Sequence, residues 1–299
     1  MKKSVSLLLA GLMLCGALAG CGGNNNTAEN TDSQTEQTSE STGTSGAIHV
    51  VSREDGSGTR GAFVELTGVE DDNGDNTTVD AEIANRTDAV LTTVAGNEAA
   101  IGYVSLGSLN DTVKAVKVDG VEATVDNVKS GTYTLSRPFN IATKGEPTGV
   151  AKDFINFILS ADGQAIVEEE NYIKVDDAAP AFTSDGSSGQ IAVGGSSSVS
   201  PVMEKLIEAY KAVNPNAQID LQTSDSTSGM TGAMDGTFAI GMASRELKDE
   251  EAAQLTGTAI ALDGIAVIVN TANTVENLTM DQIRSIYVGE TTDWADVAA

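Results

Sequence analysis

The stretch 48-IHVVSREDGSGTRGAF-63 decides the fold class, because an apolar run, a loop of small and charged residues and the start of a helix follow one another directly. The run 48–52 predicts a strand, and we expect the helix to begin near Thr59. The same order recurs at 191–213 and again from 217 onward. Strands that alternate with helices predict an α/β fold with mostly parallel sheets flanked by helices.

The three loops of these units share a composition of Ser, Thr and Gly. They are 55–60 (DGSGTR), 195–199 (GSSSV) and 225–229 (DSTSG). Hydroxyls and unpaired amides at a helix start point the same way, and the helix dipole favours an anion there. One such loop is more often an ordinary helix cap. Three loops in one domain favour an oxyanion pocket.

Arginines strengthen this interpretation. Arg53 and Arg60 flank the first loop, and a guanidinium offers a planar donor fork that matches phosphate geometry. Arg245 also lies near such a loop. It could either join the pocket or form a surface ion pair with Glu246 or Asp249.

Composition narrows the function further. The net charge of −26 makes nucleic acid an implausible partner. The long-range field of so acidic a protein would also repel an anionic ligand. An anion site must therefore work through short-range hydrogen bonds in a sheltered cleft. The single histidine, His49, and the two cysteines, Cys15 and Cys21, leave little for thiol or histidine chemistry. We therefore expect that the protein is not an enzyme and that it holds neither a metal ion nor a cofactor.

The N-terminus predicts export. Lys2 and Lys3 precede an apolar run at 5–14, and Leu18-Ala19-Gly20-Cys21 resembles the lipobox of bacterial lipoproteins. We therefore predict a signal peptide over 1–21 and lipidation of Cys21, with an ordinary secretory signal as the alternative. Residues 22–46 are almost only small and polar and predict a flexible spacer.

Several segments then resemble one family, the phosphate-binding protein of Pst-type ABC importers. They are 50–63 (VVSREDGSGTRGAF), 100–104 (AIGYV), 136–139 (SRPF), 241–247 (GMASREL) and 261–267 (ALDGIAV). The resemblance implies a type II periplasmic-binding-protein fold with two lobes and two hinge crossings. It also implies a monomer that captures inorganic phosphate and delivers it to membrane permease subunits. Such a protein would be lipid-anchored on the extracytoplasmic face of the cell membrane, as on a Gram-positive surface.

The order of the segments departs from the family, in which the part resembling 191–297 precedes the part resembling 48–175. We interpret the chain as a circular permutant, with a fragment of a tandem duplication as the alternative. The lobes are then 139–261, with an internal linker at 176–190, and 47–138 plus 262–299. The crossings are expected near 137–139 and 260–262.

The resemblance also implies the ligands of phosphate. These are Ser197, Ser198 and Ser226 from the continuous lobe, with Thr227 as a substitute for Ser226, and Arg53, Ser57, Gly58 and Thr59 from the other lobe.

Selectivity for phosphate over sulfate needs an acceptor for the proton that phosphate keeps. Where much of the family has a cleft aspartate this chain has Ser244, which leaves Asp55 as the acceptor candidate or as a helix N-cap. The alternatives are a binder of another oxyanion such as sulfate or molybdate, a surface phosphate sensor or adhesin, and a phosphoryl-transfer enzyme.

Overall fold

The computed structural model describes residues 44–297. The strands are β1 His49–Arg53, β2 Glu70–Asp71, β3 Gly74–Asp75, β4 Glu82–Ala84, β5 Ala100–Ser105, β6 Val113–Ala115, β7 Lys117–Val118, β8 Ser136–Thr143, β9 Gly189–Ser196, β10 Ala217–Ser224, β11 Ile240–Ala243, β12 Thr256–Asn270 and β13 Asn277–Leu278. The α-helices are α1 Gly58–Thr67, α2 Thr87–Gly96, α3 Val125–Lys129, α4 Gly149–Ile158, α5 Ala161–Glu169, α6 Ser200–Val213, α7 Ser226–Asp235, α8 Asp249–Ala252 and α9 Met280–Tyr287. Short 3₁₀ turns occur at Leu106–Ser108 and Trp294–Asp296.

One long sheet organises the chain, with strands in the order β10-β9-β11-β8-β12-β5-β1-β4. At one end β9 pairs in parallel with β10 and β11, and at the other end β1 pairs in parallel with β4 and β5. The two middle strands, β8 and β12, are antiparallel to each other and to their outer neighbours. The α/β prediction is confirmed.

The middle strands separate two halves of this sheet. We call β1, β4, β5 and β6 with helices α1, α2, α3 and α9 lobe A, and β9, β10 and β11 with helices α4 to α7 lobe B. Strand β12 passes between them, since its first half pairs with β8 and its second half with β5 and β6. The β8–β12 register places Ala261 opposite Phe139 and Asp263 opposite Arg137. This stretch of β8 and β12 is the crossing.

Side-chain periodicity explains how the sheet is covered. Along β12, Ile265, Val267 and Val269 enter one apolar cluster of lobe A, while Ala266 and Ile268 enter another on the opposite face. In lobe B, helix α6 presents Val202, Leu206 and Tyr210 to the core at a spacing of four. Its Pro201 lies in the first turn, where a missing amide hydrogen costs nothing.

The first and last described segments meet in lobe A. Ala47 and Asp293 form a β-bridge, the Ile48 amide donates to the Thr292 carbonyl at 2.8 Å, and the Trp294 amide donates to the Gly46 carbonyl at 2.9 Å. The predicted signal peptide, Cys21 and most of the predicted spacer 22–46 lie outside the described residues. Within 44–297, the helices are too short and too polar to cross a bilayer.

Segment 176–188, between α5 and β9, is irregular in backbone but fastened to lobe B. The Pro180 carbonyl accepts from the Ala161 amide at 2.8 Å, and the Phe182 amide donates to Asp162 at 2.9 Å. The amide of Asp185 and the hydroxyl of Ser184 donate to the buried carboxylate of Asp153.

Candidate functional site

Three helix starts, from both lobes, lie at the cleft. In lobe A, α1 begins at Gly58 behind the N-cap Ser57, whose Oγ accepts from the Arg60 amide at 3.3 Å. In lobe B, α7 begins at Ser226 behind the N-cap Asp225, which accepts from the Ser228 amide at 2.8 Å. Helix α6 follows the run Ser197-Ser198-Val199. The positive ends of these helix dipoles therefore face a common region.

Hydroxyl groups meet there across the two lobes. Thr59 Oγ1 lies 2.8 Å from Ser198 Oγ, and Thr87 Oγ1 lies 3.2 Å from the Oγ atoms of both Ser197 and Ser198. All four side chains are buried. Together with Ser226 and Ser244, described below, we call them the hydroxyl cluster.

Arg53 brings a positive charge to this cluster although it is only 2 % exposed. Its Nη2 donates to Ser197 Oγ at 3.1 Å and its Nη1 donates to Thr87 Oγ1 at 3.3 Å. Nε and Nη2 also donate to the two carboxylate oxygens of Glu54, each at 2.8 Å. This bidentate pair fixes the plane of the guanidinium, so that its remaining donors point at the hydroxyls.

Ser226 and Ser244 form the rear of the cluster. The Ser244 amide donates to Ser226 Oγ at 3.1 Å, and Ser196 Oγ donates to Ser244 Oγ at 2.9 Å. Ser226 Oγ accepts from this amide and also lies 3.5 Å from Ser244 Oγ, so its proton can be donated to that oxygen or to a ligand. Both serines are fully buried.

Gly58 allows this close approach of the lobes. A Cβ at this position would lie 2.4 Å from Ser226 Oγ and 2.9 Å from Ser244 Oγ. A side chain here would force Ser226 and Ser244 to shift, so glycine lets the first turn of α1 reach the cluster without disturbing it.

Asp55 is a correction to the sequence-based prediction. Its side chain is 97 % exposed and pairs with Arg60 Nη1 at 2.8 Å, so it faces solvent rather than the cleft. It does not cap α1 either, because Ser57 does.

Thr227 and Arg245 also lie outside the cluster. Thr227 is only half-buried, and its Oγ1 accepts from Arg245 Nη2 at 3.3 Å, so the structure favours Ser226 over Thr227. Arg245 forms a bidentate pair with Glu251 at 2.7 and 2.8 Å, not a surface pair with the side chains of Glu246 or Asp249.

Sequence reasoning missed Thr87 and Glu54. Thr87 opens α2 three residues after β4 and so follows the same strand–loop–helix order. Its loop has a single hydroxyl and no glycine, which is why the composition of the loop gave no signal. Glu54 is adjacent to Arg53 in the sequence, but adjacency alone does not predict a bidentate pair.

A cavity of about 300 Å³ opens onto the cluster at Thr87 and Ser197. Arg86 is the one basic residue lining it, against the acidic Asp88 and Glu204. No group of three or more His, Cys, Asp or Glu side chains within 44–297 is placed to hold a metal ion.

Comparison with known proteins identifies the family. A family model described as a PBP superfamily domain matches residues 17–162 and 180–299. Phosphate-binding protein PstS 2 of Streptococcus agalactiae serotype V is 48 % identical over 99 % of this chain and 98 % of its own length. The chain belongs to the PstS family. PstS 2 of Streptococcus pneumoniae serotype 4 is 44 % identical over 98 % of each chain.

A solved structure agrees with the PstS assignment. The crystal structure of a phosphate-binding protein of a phosphate ABC transporter from Streptococcus pneumoniae TIGR4 is 46 % identical and has a TM-score of 0.69. It corresponds to 85 % of this chain and all of that chain. The predicted periplasmic-binding-protein fold is confirmed. Since the PstS 2 matches run through nearly the whole of both chains, the order of segments is common to these proteins.

Proposed function

We propose that this PstS-family protein captures inorganic phosphate between its lobes and delivers it to the membrane permease of an ABC importer. The observation that carries the proposal is the hydroxyl cluster, in which donors from both lobes converge around the Arg53 guanidinium. The printed names of the streptococcal relatives, phosphate-binding proteins, support the same ligand class.

Each group of the cluster has a distinct role in this proposal. Arg53 supplies a charge-assisted donor, and such hydrogen bonds are about twice as strong as neutral ones. Ser197, Ser198 and Ser226 donate from lobe B, and Thr59 and Thr87 donate from lobe A.

The remaining residues position these donors. Gly58 brings the first turn of α1, with its free amides, to within contact of the anion. Ser57 caps that turn, and Ser244 orients Ser226 through its amide. Asp55 has no role at the ligand, because its side chain is turned to solvent.

Lobe closure is the step that makes the site. The donors come from α1 and α2 on one side and from α6 and α7 on the other, so an open cleft would present only half of them at once. An anion satisfies both halves together, and burying it strengthens each contact by lowering the local dielectric. The closed form is the shape that a permease would recognise.

The hydroxyl groups determine the preference for phosphate over anions that carry no proton. A hydroxyl can donate to a bare anion oxygen and can also accept the proton that phosphate keeps. We propose that the Ser244 hydroxyl accepts that proton in place of a carboxylate, while Ser226 donates.

The other expectations also remain proposals. The protein works outside the cytoplasm as a monomer, is anchored through a lipid on Cys21, and carries out no catalysis. Mass spectrometry of protein from the producing cell tests the anchor, because a cleaved chain that begins with acylated Cys21 has a defined mass.

Isothermal titration calorimetry tests the ligand. We expect phosphate and arsenate to bind with 1:1 stoichiometry and sulfate and molybdate to bind more weakly. Heat with sulfate or molybdate and none with phosphate would overturn the proposal. Turnover of a phosphate monoester by pure protein would favour the enzyme alternative instead.

A further inference from the structure

Polar groups without hydrogen bonds are concentrated at the crossing of β8 and β12. Within residues 44–297, the buried side-chain nitrogen and oxygen atoms that lack a hydrogen-bond partner belong to Ser108, Arg137, Tyr172 and Asp263. Buried polar groups are normally satisfied, so such a concentration needs a physical explanation. The hydroxyl cluster, close by, has none of these atoms.

Arg137 and Asp263 are the charged members, and we call them the crossing pair. They lie opposite each other on β8 and β12 and are 2 % and 0 % exposed. Arg137 Nη2 lies 3.1 Å from Asp263 Oδ2, but the geometry is not that of a hydrogen bond. Asp263 Oδ1 accepts from Ser105 Oγ at 2.9 Å. Asp263 therefore compensates the positive charge of Arg137 by proximity, without the two parallel hydrogen bonds that an arginine and a carboxylate usually form.

The backbone amides of Leu106 and Gly107 also favour the Asp263 carboxylate, whereas Arg137 has little compensation besides Asp263. The Phe139 ring of β8 lies 5.6 Å from Arg137 Cζ, and Tyr172, which follows α5, adds a hydroxyl without a hydrogen bond. The charged and titratable groups that act on Arg137 are Asp263 of β12, Arg53 of β1, Tyr103 of β5 and Tyr172.

Burial consequently disfavours both charges. Burial raises the pKa of Asp263 to about 6, with Arg137 opposing the shift. Burial also lowers the pKa of Arg137, and Asp263 opposes that shift.

The pair connects to the anion site through the turn that follows β5. Ser105, which donates to Asp263, ends β5, and Ser108 in the turn after it lines the same cavity as Thr87 and Ser197 of the hydroxyl cluster. The charge of Arg53, which donates into the cluster, acts on Arg137. A change of charge at the crossing is therefore felt in the cleft.

We propose that Asp263 determines how strongly the cleft holds an anion: ionised Asp263 cancels the charge of Arg137, and protonated Asp263 leaves that charge uncompensated behind the site. The inference rests on the proposed phosphate capture. By linkage, an anion in the cleft favours the protonated acid, so capture takes up a proton from solvent onto the Asp263 carboxylate. Asp263 is thus a positioning residue that acts through Arg137.

Calorimetry with phosphate in two buffers of different ionisation enthalpy measures this proton uptake. At pH 6 we expect wild type to take up more protons per phosphate than D263N, whose amide cannot titrate. At pH 7.5 we expect D263N to bind phosphate about tenfold more tightly, because the charge of Arg137 is then uncompensated behind the site. This gap in affinity should close by pH 5, where Asp263 is already protonated in wild type.

Two variants complete the design. D111N makes the same change in net charge at an exposed loop position. It should leave the proton uptake per phosphate and the phosphate affinity at their wild-type values. R137Q/D263N removes both charges, which buried pairs often tolerate better than the loss of one partner. It should bind phosphate as wild type does at pH 7.5 while lacking the Asp263-linked uptake.

Equal proton uptake in wild type and D263N would overturn the proposal, as would a tenfold gain in D111N. If D263N does not fold, the double variant carries the same comparison of uptake with wild type. Absence of phosphate binding by wild type would instead overturn the proposed function and is distinguishable from these outcomes.

Discussion

The hydroxyl cluster and the crossing pair are both buried and polar, but they satisfy their groups in different ways. In the cluster, neutral hydroxyls and one guanidinium exchange hydrogen bonds across the lobes, and Arg53 has a bidentate partner in Glu54. In the crossing pair, Arg137 and Asp263 approach to 3.1 Å without a hydrogen bond. Both arginines are only 2 % exposed. Equal burial therefore occurs with hydrogen-bonded groups in one region and with an ion pair that lacks hydrogen bonds in the other.

Removing the charge from the cluster should have the largest effect. We expect R53Q to weaken phosphate binding at least a hundredfold, because a charge-assisted donor is lost and the Glu54 carboxylate is left near the anion. Calorimetric titration measures the change. R284Q, at a partly exposed position on α9 in lobe A, serves as the control and should bind as wild type. A loss below fivefold in R53Q would mean that Arg53 does not contact the ligand.

Preventing the lobes from meeting should have the next largest effect. We expect G58A to weaken phosphate binding about tenfold or more, because its Cβ would overlap Ser226 Oγ at 2.4 Å. The matched control is G96A, since a Cβ at Gly96 meets nothing within 4 Å. Small-angle scattering with phosphate should show a more open form of G58A than of G96A. Equal affinities would contradict the close approach of α1 to the cluster.

Titration of Asp263 in the crossing pair should affect how the free energy of unfolding depends on pH. The pKa of Asp263 is raised to about 6 by burial, so the folded protein binds a proton there that the unfolded chain releases. The free energy of unfolding should therefore rise as the pH falls from 7 to 5, by about 1 kcal/mol from this group.

Urea unfolding of wild type and D263N at both pH values isolates this contribution, because the other carboxylates are common to both proteins. Identical pH profiles would show that Asp263 titrates at an ordinary pKa.

Loss of a single neutral hydroxyl should have the smallest effect. We expect T87V, which keeps the shape of the side chain, to weaken phosphate binding about fivefold, since one neutral hydrogen bond contributes on the order of 1 kcal/mol. T92V on the same helix, where the hydroxyl only donates to the Asp88 carbonyl, is the matched control. Equal affinity of T87V and T92V would remove Thr87 from the site.

Much of this architecture is predictable from the sequence because it depends on local order. The strand–loop–helix units at 48–63, at 191–213 and from 217 onward indicate the α/β class, and the Ser, Thr and Gly loops of these units predict that Arg53, Ser197 and Ser226 belong to one site. Asp55 shows the limit of this reasoning. Two neighbouring carboxylates follow Arg53, and only side-chain geometry reveals that Glu54 pairs with it while Asp55 turns outward to Arg60.

The crossing pair could not be predicted in the same way. Arg137 and Asp263 are far apart in the sequence and meet only through the register of two long antiparallel strands. Each also lies in an apolar run, where a single charge gives no indication of its partner.

A crystal structure of the protein with phosphate tests the proposed anion site most directly. We expect one anion between the lobes, with oxygens within hydrogen-bond distance of Arg53, Ser197 and Thr59 at once. An anion bound to one lobe alone, or at a surface away from these three side chains, would contradict it.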